Sequence, residues 1–307
     1  MKKIYKLKIS FLITLLVVMT LATACVLGDK GLDKSKGIFY EVSDGNNKAY
    51  LFGSVHVGYE DMYPLDDTVY DVFDESEVLA LEVDLTNITD IQIGEKFAQY
   101  GMYHDGRQMT DIVSEDTFEE VSKLVQDLGI NPQMLNQFKP WYAGLIVSEI
   151  SVEKAGLSEE YGVENYFIEK AEDEDMKIIG LETVSDQIAP YTKLSSESQV
   201  LYLEETLDEV DEAEENLGEL IDFWKKGKTD IFEESRYELI YEAKTDSLGE
   251  YQKAMMDGRD KEMAGEISEI LEEEDNYFLV VGSLHLAGDN SIVCQLRDKG
   301  YEVENVY

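Results

Sequence analysis

Short apolar runs alternate with longer amphipathic segments along most of the chain. Runs rich in β-branched and aromatic residues predict strands. Six such runs occupy residues 38–44, 48–56, 78–85, 176–182, 277–285 and 301–307. The tripeptide "GNN" between the first two runs predicts a hairpin turn. Three of the later runs are almost wholly apolar, which is typical of strands covered on both faces of a sheet.

Helical periodicity predicts long helices in the connections between these strands. The predicted helices occupy residues 65–76, 114–129, 140–156, 162–173, 196–227, 230–243 and 259–274. The two ends of the chain share a plan of strand, loop, helix and strand, whereas the middle is mostly helical. We therefore predict an α/β (α+β) fold with a central mixed sheet, paired β-α-β ends and a large helical insertion.

The first 24 residues have the layout of an export signal. Lysines precede the apolar stretch "FLITLLVVMTLA", and the small residues "ATA" precede Cys25. The segment resembles a bacterial lipoprotein signal, which implies a lipid on Cys25 and a protein anchored outside the cell membrane. An uncleaved signal anchor and plain secretion are the alternatives. Residues 25–36 are then a polar tether, and residues 37–307 form the folded domain.

Composition fits a folded protein and excludes one class of partner. The chain has 307 residues, 44% of them hydrophobic, which is enough for a sizeable core. Its 66 acidic and 26 basic residues give a formal net charge of −40. Because phosphate contacts need clustered lysine and arginine, we expect no nucleic-acid partner. Most acids lie in helical stretches, where a solvated face is the usual explanation.

Cysteine use points to structure and not to catalysis. If Cys25 carries a lipid, Cys294 is the one cysteine left in the domain, and no intrachain disulfide is available. Cys294 lies in "SIVCQLRDKG", a segment with helical spacing of apolar residues. No base or cation cluster adjoins it in sequence, so we predict a buried structural thiol.

A G-S-x-H motif occurs twice, near opposite ends of the chain. The copies comprise Gly53, Ser54 and His56 in "YLFGSVHVG", and Gly282, Ser283 and His285 in "FLVVGSLHLAG". Both histidines end an apolar strand, although the chain has only three histidines. Ligand sites in open α/β sheets form at the carboxyl ends of strands, so we expect both histidines at one sheet edge. The glycines allow a sharp turn and a close approach of backbone to a ligand.

The two serines and the third histidine favour structural interpretations. Ser54 and Ser283 each precede a histidine by two residues, a spacing that shares one face of a strand. Because both copies carry the serine, a turn or supporting role suits them better than that of a unique nucleophile. His104 lies in the polar turn "YHDG", and we predict a surface residue there.

Two glutamates end apolar strands, which is unusual for a residue type that is mainly exposed. They are Glu82 in "LALEVD" and Glu182 in "IIGLET". A carboxylate at a strand end beside histidines could be a metal ligand, a general base or a partner that orients a ligand. The alternative is a surface residue at an ordinary strand terminus.

Taken together, several segments resemble the TraB/PrgY/GumN family, to which the animal Tiki metalloproteases belong. The segments are "YLFGSVHVG", "LALEVD", "KPW", "GVENYF", "GLETVSDQ" and "FLVVGSLHLAGDNSIVCQLRDKGYEVENV". The resemblance extends over roughly residues 38–307. It implies a fold related to erythromycin esterase and the haem-binding ChaN proteins, with a hydrolytic site. The site residues that it implies are His56, Glu82 and His285, with Glu182 and Arg259 as further members.

The predicted function is metal-dependent hydrolysis of a peptide or related amide bond, with a peptide or small molecule as substrate. His56, Glu82 and His285 would hold manganese, cobalt or zinc and leave one position open for water. Glu182 would serve as the base, and Arg259 would stabilise the oxyanion. The alternative is an extracellular binding protein that captures a peptide or signalling ligand without turnover.

Overall fold

The computed structural model describes residues 34–273 and 275–307, so the predicted signal, Cys25 and most of the tether lie outside the described residues. Within that part of the chain, six strands form one sheet in the order β4-β3-β5-β2-β1-β6. The strands are β1 (Ile38–Ser43), β2 (Lys48–Ser54), β3 (Val78–Val83), β4 (Lys177–Glu182), β5 (Tyr277–Gly282) and β6 (Glu302–Asn305).

The sheet is mixed, as predicted. Strands β2, β3, β4 and β5 run parallel, whereas β1 runs antiparallel to both of its neighbours, β2 and β6. The predicted hairpin joins β1 to β2, with Ser43 opposite Lys48. Since β2, β3, β4 and β5 are parallel, their carboxyl ends all lie at the same edge of the sheet. This edge carries the site described below.

Helices supply the connections that parallel strands require. They are α1 (Asp67–Asp74), α2 (Asp90–Gly101), α3 (Glu115–Leu124), α4 (Pro132–Leu135), α5 (Pro140–Lys154), α6 (Val163–Asp173), α7 (Val184–Thr192), α8 (Ser196–Glu209), α9 (Ala213–Lys225), α10 (Thr229–Tyr241), α11 (Asp246–Lys253), α12 (Arg259–Ile270), α13 (Ser283–Leu286) and α14 (Ile292–Asp298). A π-helical turn, Ala254–Gly258, joins α11 to α12. Helix α1 links β2 to β3, and α13 with α14 links β5 to β6, which confirms the paired β-α-β ends.

Residues 196–227 differ from the prediction, because they form two helices instead of one. The break coincides with a change of packing partner. Helix α8 buries Leu203 and Leu207 in a cluster shared with α3 and α5. Helix α9 buries Leu220 and Trp224 in the main core that covers the sheet. Packing on two different surfaces therefore overrides a helical pattern that is continuous in sequence.

Some helices were missed although their N-terminal signals are present in the sequence. Helix α2 begins with a capping box in which Thr89 and Gln92 each accept from the other's backbone N–H. Helix α7 begins in the same way with Thr183 and Asp186. Because Thr183 directly follows the last residue of β4, α7 starts at the edge of the sheet where the site lies.

The strand that leads to His285 is shorter than predicted. Strand β5 ends at Gly282, and the next four residues form the short helix α13, so His285 lies in a helical turn. Strand β2 similarly ends at Ser54, two residues before His56. The prediction that the strands continue to the histidines was wrong. Both histidines instead follow their strands in the turns that leave the sheet.

The main core ties the sheet to the first motif. Phe52 on β2 packs against Phe278 on β5 and Trp224 on α9, with ring centroids 6.0 and 5.9 Å apart. The indole N–H of Trp224 donates to the carbonyl of Gly53 at 2.7 Å. The turn after β2 is therefore held by core packing as well as by the sheet. Among the described residues, none of the helices has the length and apolar character needed to cross a membrane.

Candidate functional site

The carboxyl ends of β2, β3 and β5 bring Glu82 and the two motif histidines together. Strand β5 lies between β2 and β3, and a cavity of about 110 Å³ opens at their shared edge. A Cβ atom on Gly282 would lie 3.1 Å from Oε1 of Glu82 and 3.4 Å from Cδ2 of His285. The same atom would lie 3.7 Å from Nε2 of His56. All three side chains therefore surround one glycine.

The two G-S-x-H copies pack directly on each other. A Cβ atom on Gly53 would come within 2.9 Å of Oγ of Ser283, so this contact requires glycine. The Ser283 hydroxyl donates to the carbonyl of Ser54 at 2.8 Å, and the Ser54 hydroxyl donates to Glu164. Both serines are buried. The Ser283 hydroxyl joins the two turns and the Ser54 hydroxyl ties the first turn to α6, an arrangement that suits a supporting role.

A buried carboxylate holds the ring of His285 in place. Its Nδ1 lies 2.5 Å from Oδ1 of Asp260, which is the second residue of α12 and is fully buried. Its Nε2 lies 3.7 Å from Oε1 of Glu82. Because Asp260 engages one ring nitrogen, the other is directed toward Glu82. His285 itself is only 4% exposed, so bulk water has little access to the pair.

His56 has a carboxylate in the corresponding position. Its Nδ1 lies 2.7 Å from Oε1 of Glu164, near the start of α6. Burial by itself lowers the pKa of His56, but the charge and hydrogen bonding of Glu164, assisted by Glu82, outweigh burial and raise the pKa to about 9. His56 is therefore an imidazolium at neutral pH when no cation competes for it.

Glu82 is an ionised carboxylate inside the protein. Its Oε1 accepts a hydrogen bond from the Gly282 N–H at 2.6 Å, and its Oε2 lies 2.5 Å from Nη2 of Arg259. Burial alone raises the pKa of Glu82. The positive charge of Arg259, followed by the two histidines and the Gly282 N–H, more than offsets this and lowers the pKa well below its usual range.

Arg259 bridges the two glutamates that end apolar strands. Its Nε donates to both carboxylate oxygens of Glu182, at 3.0 and 3.1 Å, while its Nη2 contacts Glu82 and Glu182 together. Gln187 also joins the pair, donating to Glu182 at 3.1 Å and to Glu82 at 3.3 Å. Burial lowers the pKa of Arg259, but the two carboxylates raise it above its ordinary value. The arginine therefore stays charged and pairs with both glutamates, and the three groups together keep one net negative charge.

A second arginine lies behind His285. Arg236 on α10 is 1% exposed, and its Nη1 donates to the carbonyl of Leu284 at 2.7 Å. Its Nη2 lies 2.6 Å from Oδ2 of Asp260 and 2.8 Å from Oδ1 of Asp257. The arginine thus fixes the carboxylate that holds His285. Arg236, Asp260 and His285 form one buried chain of charged and polar groups.

Sequence reasoning missed Glu164, Asp260, Arg236 and Gln187. Signals for some of them were present. Glu164 lies within "GVENYF", and Asp260 directly follows Arg259. The chain has only four arginines, so a rare guanidinium in a strongly acidic sequence was the signal for Arg236. Gln187 likewise lies within "GLETVSDQ".

Two other residues considered from sequence lie outside the cavity. His104 is exposed, and its Nε2 lies 3.1 Å from the carbonyl of Gln99. Cys294 is half-buried, with its Sγ 3.4 Å from the carbonyl of Gly288. The expectation of a fully buried thiol was wrong, because Cys294 lies on the side of α14 opposite its most buried residues. Neither residue lines the cavity.

The donors at this site match a divalent cation in kind. Two imidazoles and a carboxylate are suitable ligands for zinc, cobalt or manganese. Metal-binding histidines typically present their other ring nitrogen to a carboxylate, as His56 and His285 both do. Across residues 34–273 and 275–307, however, no three such donors already form a group that could hold an ion. The residue types therefore suit a divalent cation, but the side chains do not form a complete coordination site in this structure.

Fold and site together define an α/β protein with a buried cluster of histidines and carboxylates at the carboxyl edge of a mostly parallel sheet. The sequence matches the profile of the TraB/PrgY/gumN family over residues 38–305. The chain belongs to this family, and the resemblance drawn from its motifs is confirmed.

Relatives of the chain are themselves without an assigned activity. The uncharacterized protein YbaP of Shigella flexneri is 23% identical over 261 residues, which cover 82% of this chain and 89% of that protein. YbaP of Escherichia coli (strain K12) is similar to the same extent. An uncharacterized protein of Treponema pallidum (strain Nichols) is 22% identical over 61% of this chain and 58% of its own length. No solved structure matches the chain.

Proposed function

We propose that the chain is a hydrolase that cleaves a peptide or related amide bond at this sheet edge, using a divalent cation. His56, Glu82 and His285 would hold the cation. The observation that carries the proposal is that each histidine turns Nδ1 onto a carboxylate while its ring edge faces the space around Gly282. Histidines that bind metals and histidines that move protons in catalysis share this arrangement.

The cation would supply a reactive water molecule. When bound, such an ion lowers the pKa of water from ~15.7 to about 7 and polarises a carbonyl group. Manganese, cobalt and zinc all suit two imidazoles and a carboxylate. The carboxylates of Glu164 and Asp260 would accept hydrogen bonds from the Nδ1–H groups. The lone pair of each Nε2 would then be available to bind the ion.

The remaining charged groups have roles that follow from their positions. The Gly282 N–H fixes one oxygen of Glu82, which keeps that carboxylate ionised and oriented. Glu182 would act as the base; it ends the strand next to Glu82 and pairs with Arg259, but it does not itself line the cavity. Arg259 would stabilise negative charge on the carbonyl oxygen, because a buried guanidinium interacts strongly with a developing anion.

One observation favours a second candidate, capture of a ligand without turnover. Arg259 already pairs with both Glu82 and Glu182, so each carboxylate has a cationic partner before any ligand arrives. As a base, Glu182 must first give up this ion pair. A binding protein that holds a peptide or signalling ligand requires no such exchange.

We also propose that the protein works outside the cell membrane, held there by a lipid on Cys25 or by its N-terminal signal. The support is the order of lysines, apolar stretch and small residues before that cysteine. Plain secretion after cleavage is the alternative.

Incubation with a peptide library tests the catalytic proposal. Purified protein is incubated with manganese, cobalt, zinc or a chelator, and products are identified by mass spectrometry. We expect cleavage with at least one cation and none with the chelator. His56→Ala and His285→Ala should each remove it, whereas His104→Ala should not, because His104 lies outside the cavity. Retention of peptides without products favours the binding protein, and cleavage that survives the chelator rejects the metal.

A further inference from the structure

The cavity has an apolar wall that the proposed chemistry does not use. This wall comes from α9, α10 and the π-helical turn, not from the turns that carry the histidines. Its residues are Leu217, Leu220, Phe232, Met255 and Met256. Each is at most 5% exposed, so the wall faces the interior of the cavity and not bulk solvent.

Local structure explains how these side chains reach one surface. Leu217 and Leu220 are three residues apart on α9 and therefore lie on the same face of the helix. Met255 and Met256 lie in the π-helical turn that immediately precedes Arg259. Such turns insert an extra residue into a helix and often occur at functional sites. One continuous segment thus contributes two methionines of the apolar wall and the arginine of the charged cluster.

The wall selects for an apolar occupant. A charged side chain placed against it would lose hydration without gaining a partner, which is costly. The cavity volume of about 110 Å³ is of the order of the ~150 Å³ engineered cavity that takes up benzene. The whole cavity, including its charged edge, therefore has room for about one aliphatic or small aromatic side chain. Methionines can adjust to occupants of different shapes because their side chains are flexible and polarizable.

We infer that this wall is a specificity pocket for one apolar side chain of a peptide substrate, next to the bond that is cleaved. The inference rests on the proposed function for turnover, but peptide binding tests it separately. Leucine, methionine and phenylalanine fit the pocket. Aspartate and lysine do not, and alanine leaves it partly empty.

Peptides that differ at a single position test the inference. Each position of a cleaved or bound peptide is occupied in turn by Ala, Leu, Phe, Asp or Lys. At one position we expect kcat/KM for Leu or Phe to exceed that for Asp or Lys by about 100-fold. Equal rates at every position, or a preference for a charged residue, would overturn the inference.

Substitution in the wall should change the preference and not only the rate. Leu220→Phe fills the cavity, so the advantage of Leu and Phe over Ala should fall about tenfold or more. Leu220→Ala enlarges the cavity and should favour Phe over Leu. The matched control is Leu203→Ala on α8, a fully buried leucine in the other hydrophobic cluster. Ratios between peptides are unaffected by a loss of folded protein, so Leu203→Ala should leave them unchanged, and an equal change in the control would overturn the inference.

Binding separates a failure of the pocket from a failure of the hydrolase. The same peptides are titrated calorimetrically into wild-type protein with a chelator present, so that turnover does not interfere. The pocket is supported if peptides with Leu or Phe bind more tightly than the others and Leu220→Phe abolishes this preference. This holds even if no peptide is ever cleaved. Binding that ignores the varied side chain rejects the pocket, whatever the catalytic result.

Discussion

Asp260 and His285 form a buried pair in which a carboxylate oxygen lies 2.5 Å from Nδ1 of the ring. The two residues are 25 positions apart in sequence and come from α12 and α13. Arg236 lies 2.6 Å from the other oxygen of Asp260, so the carboxylate is held on both sides. His285 therefore has one nitrogen fixed inside the protein and one directed toward Glu82.

We predict that Asp260→Asn weakens cation binding about 10- to 100-fold, the usual effect of losing a partner that orients a metal-binding histidine. It should also lower the free energy of unfolding, by less than the ~3–5 kcal/mol of an uncompensated buried charge, because Arg236 loses Asp260 but keeps Asp257. Calorimetric titration with manganese, cobalt and zinc, together with urea denaturation, measures both effects. Asp222→Asn is the control, since Asp222 is exposed on α9 and should change neither. Wild-type cation affinity in Asp260→Asn would reject the orienting role.

The two histidines should act as one unit. His56→Ala and His285→Ala should each remove nearly all cation-dependent turnover, and the double variant should be scarcely worse than either. Groups that act together are strongly non-additive. Steady-state kinetics on any cleaved peptide measures this. Losses that multiply in the double variant would show that the two histidines work independently.

Gly282→Ala should damage the site more than the fold. The new Cβ would lie 3.1 Å from Oε1 of Glu82, inside the space that the site side chains surround. We expect loss of cation binding, with a destabilisation of about 1–3 kcal/mol from overpacking. Gly265→Ala on α12 is the matched control, because its Cβ meets open space and should stabilise the helix by up to about 1 kcal/mol. Unchanged cation binding in Gly282→Ala would exclude this space as the binding site.

The raised pKa of His56 makes stability depend on pH in a defined direction. Because its pKa of about 9 in the folded protein exceeds the 6.5 of the unfolded chain, protonation stabilises the fold. This contribution is complete below pH 6.5 and is lost as the pH rises toward 9. Its slope is at most about 1.4 kcal/mol per pH unit. Denaturant unfolding measured from pH 6 to 9.5 should show that the free energy of unfolding falls as the pH rises. His56→Gln should reduce this fall, and His104→Gln should leave it unchanged.

The N-terminal prediction concerns attachment to the membrane. Cys25→Ser should release the protein from the membrane or leave its signal uncleaved, since a lipid requires the thiol. The folded domain should be unaffected, because Cys25 precedes the residues that form the core. Detergent phase partitioning measures the anchor. A wild-type protein that remains wholly in the aqueous phase after export has no lipid.

The sequence alone determined all six strands and the hairpin through its apolar runs. It also revealed the repeated motif that marks the site. These features depend on local alternation and on residue types that are rare in this chain, such as histidine. The positions of His56, Glu82 and His285 at one edge followed from a general property of parallel sheets, whose carboxyl ends align. Local pattern therefore predicted the framework and the centre of the site.

Only the tertiary structure decided which carboxylates accompany those histidines. Glu164 and Asp260 are two of 66 acidic residues, and their position in a family-like segment or beside Arg259 does not show that they contact the histidines. Their pairing with the rings depends on how α6 and α12 dock against the sheet. Packing on two different clusters likewise splits residues 196–227 into two helices. Contacts between distant segments are selected by packing and burial, which act on the folded chain and leave no periodic trace in its sequence.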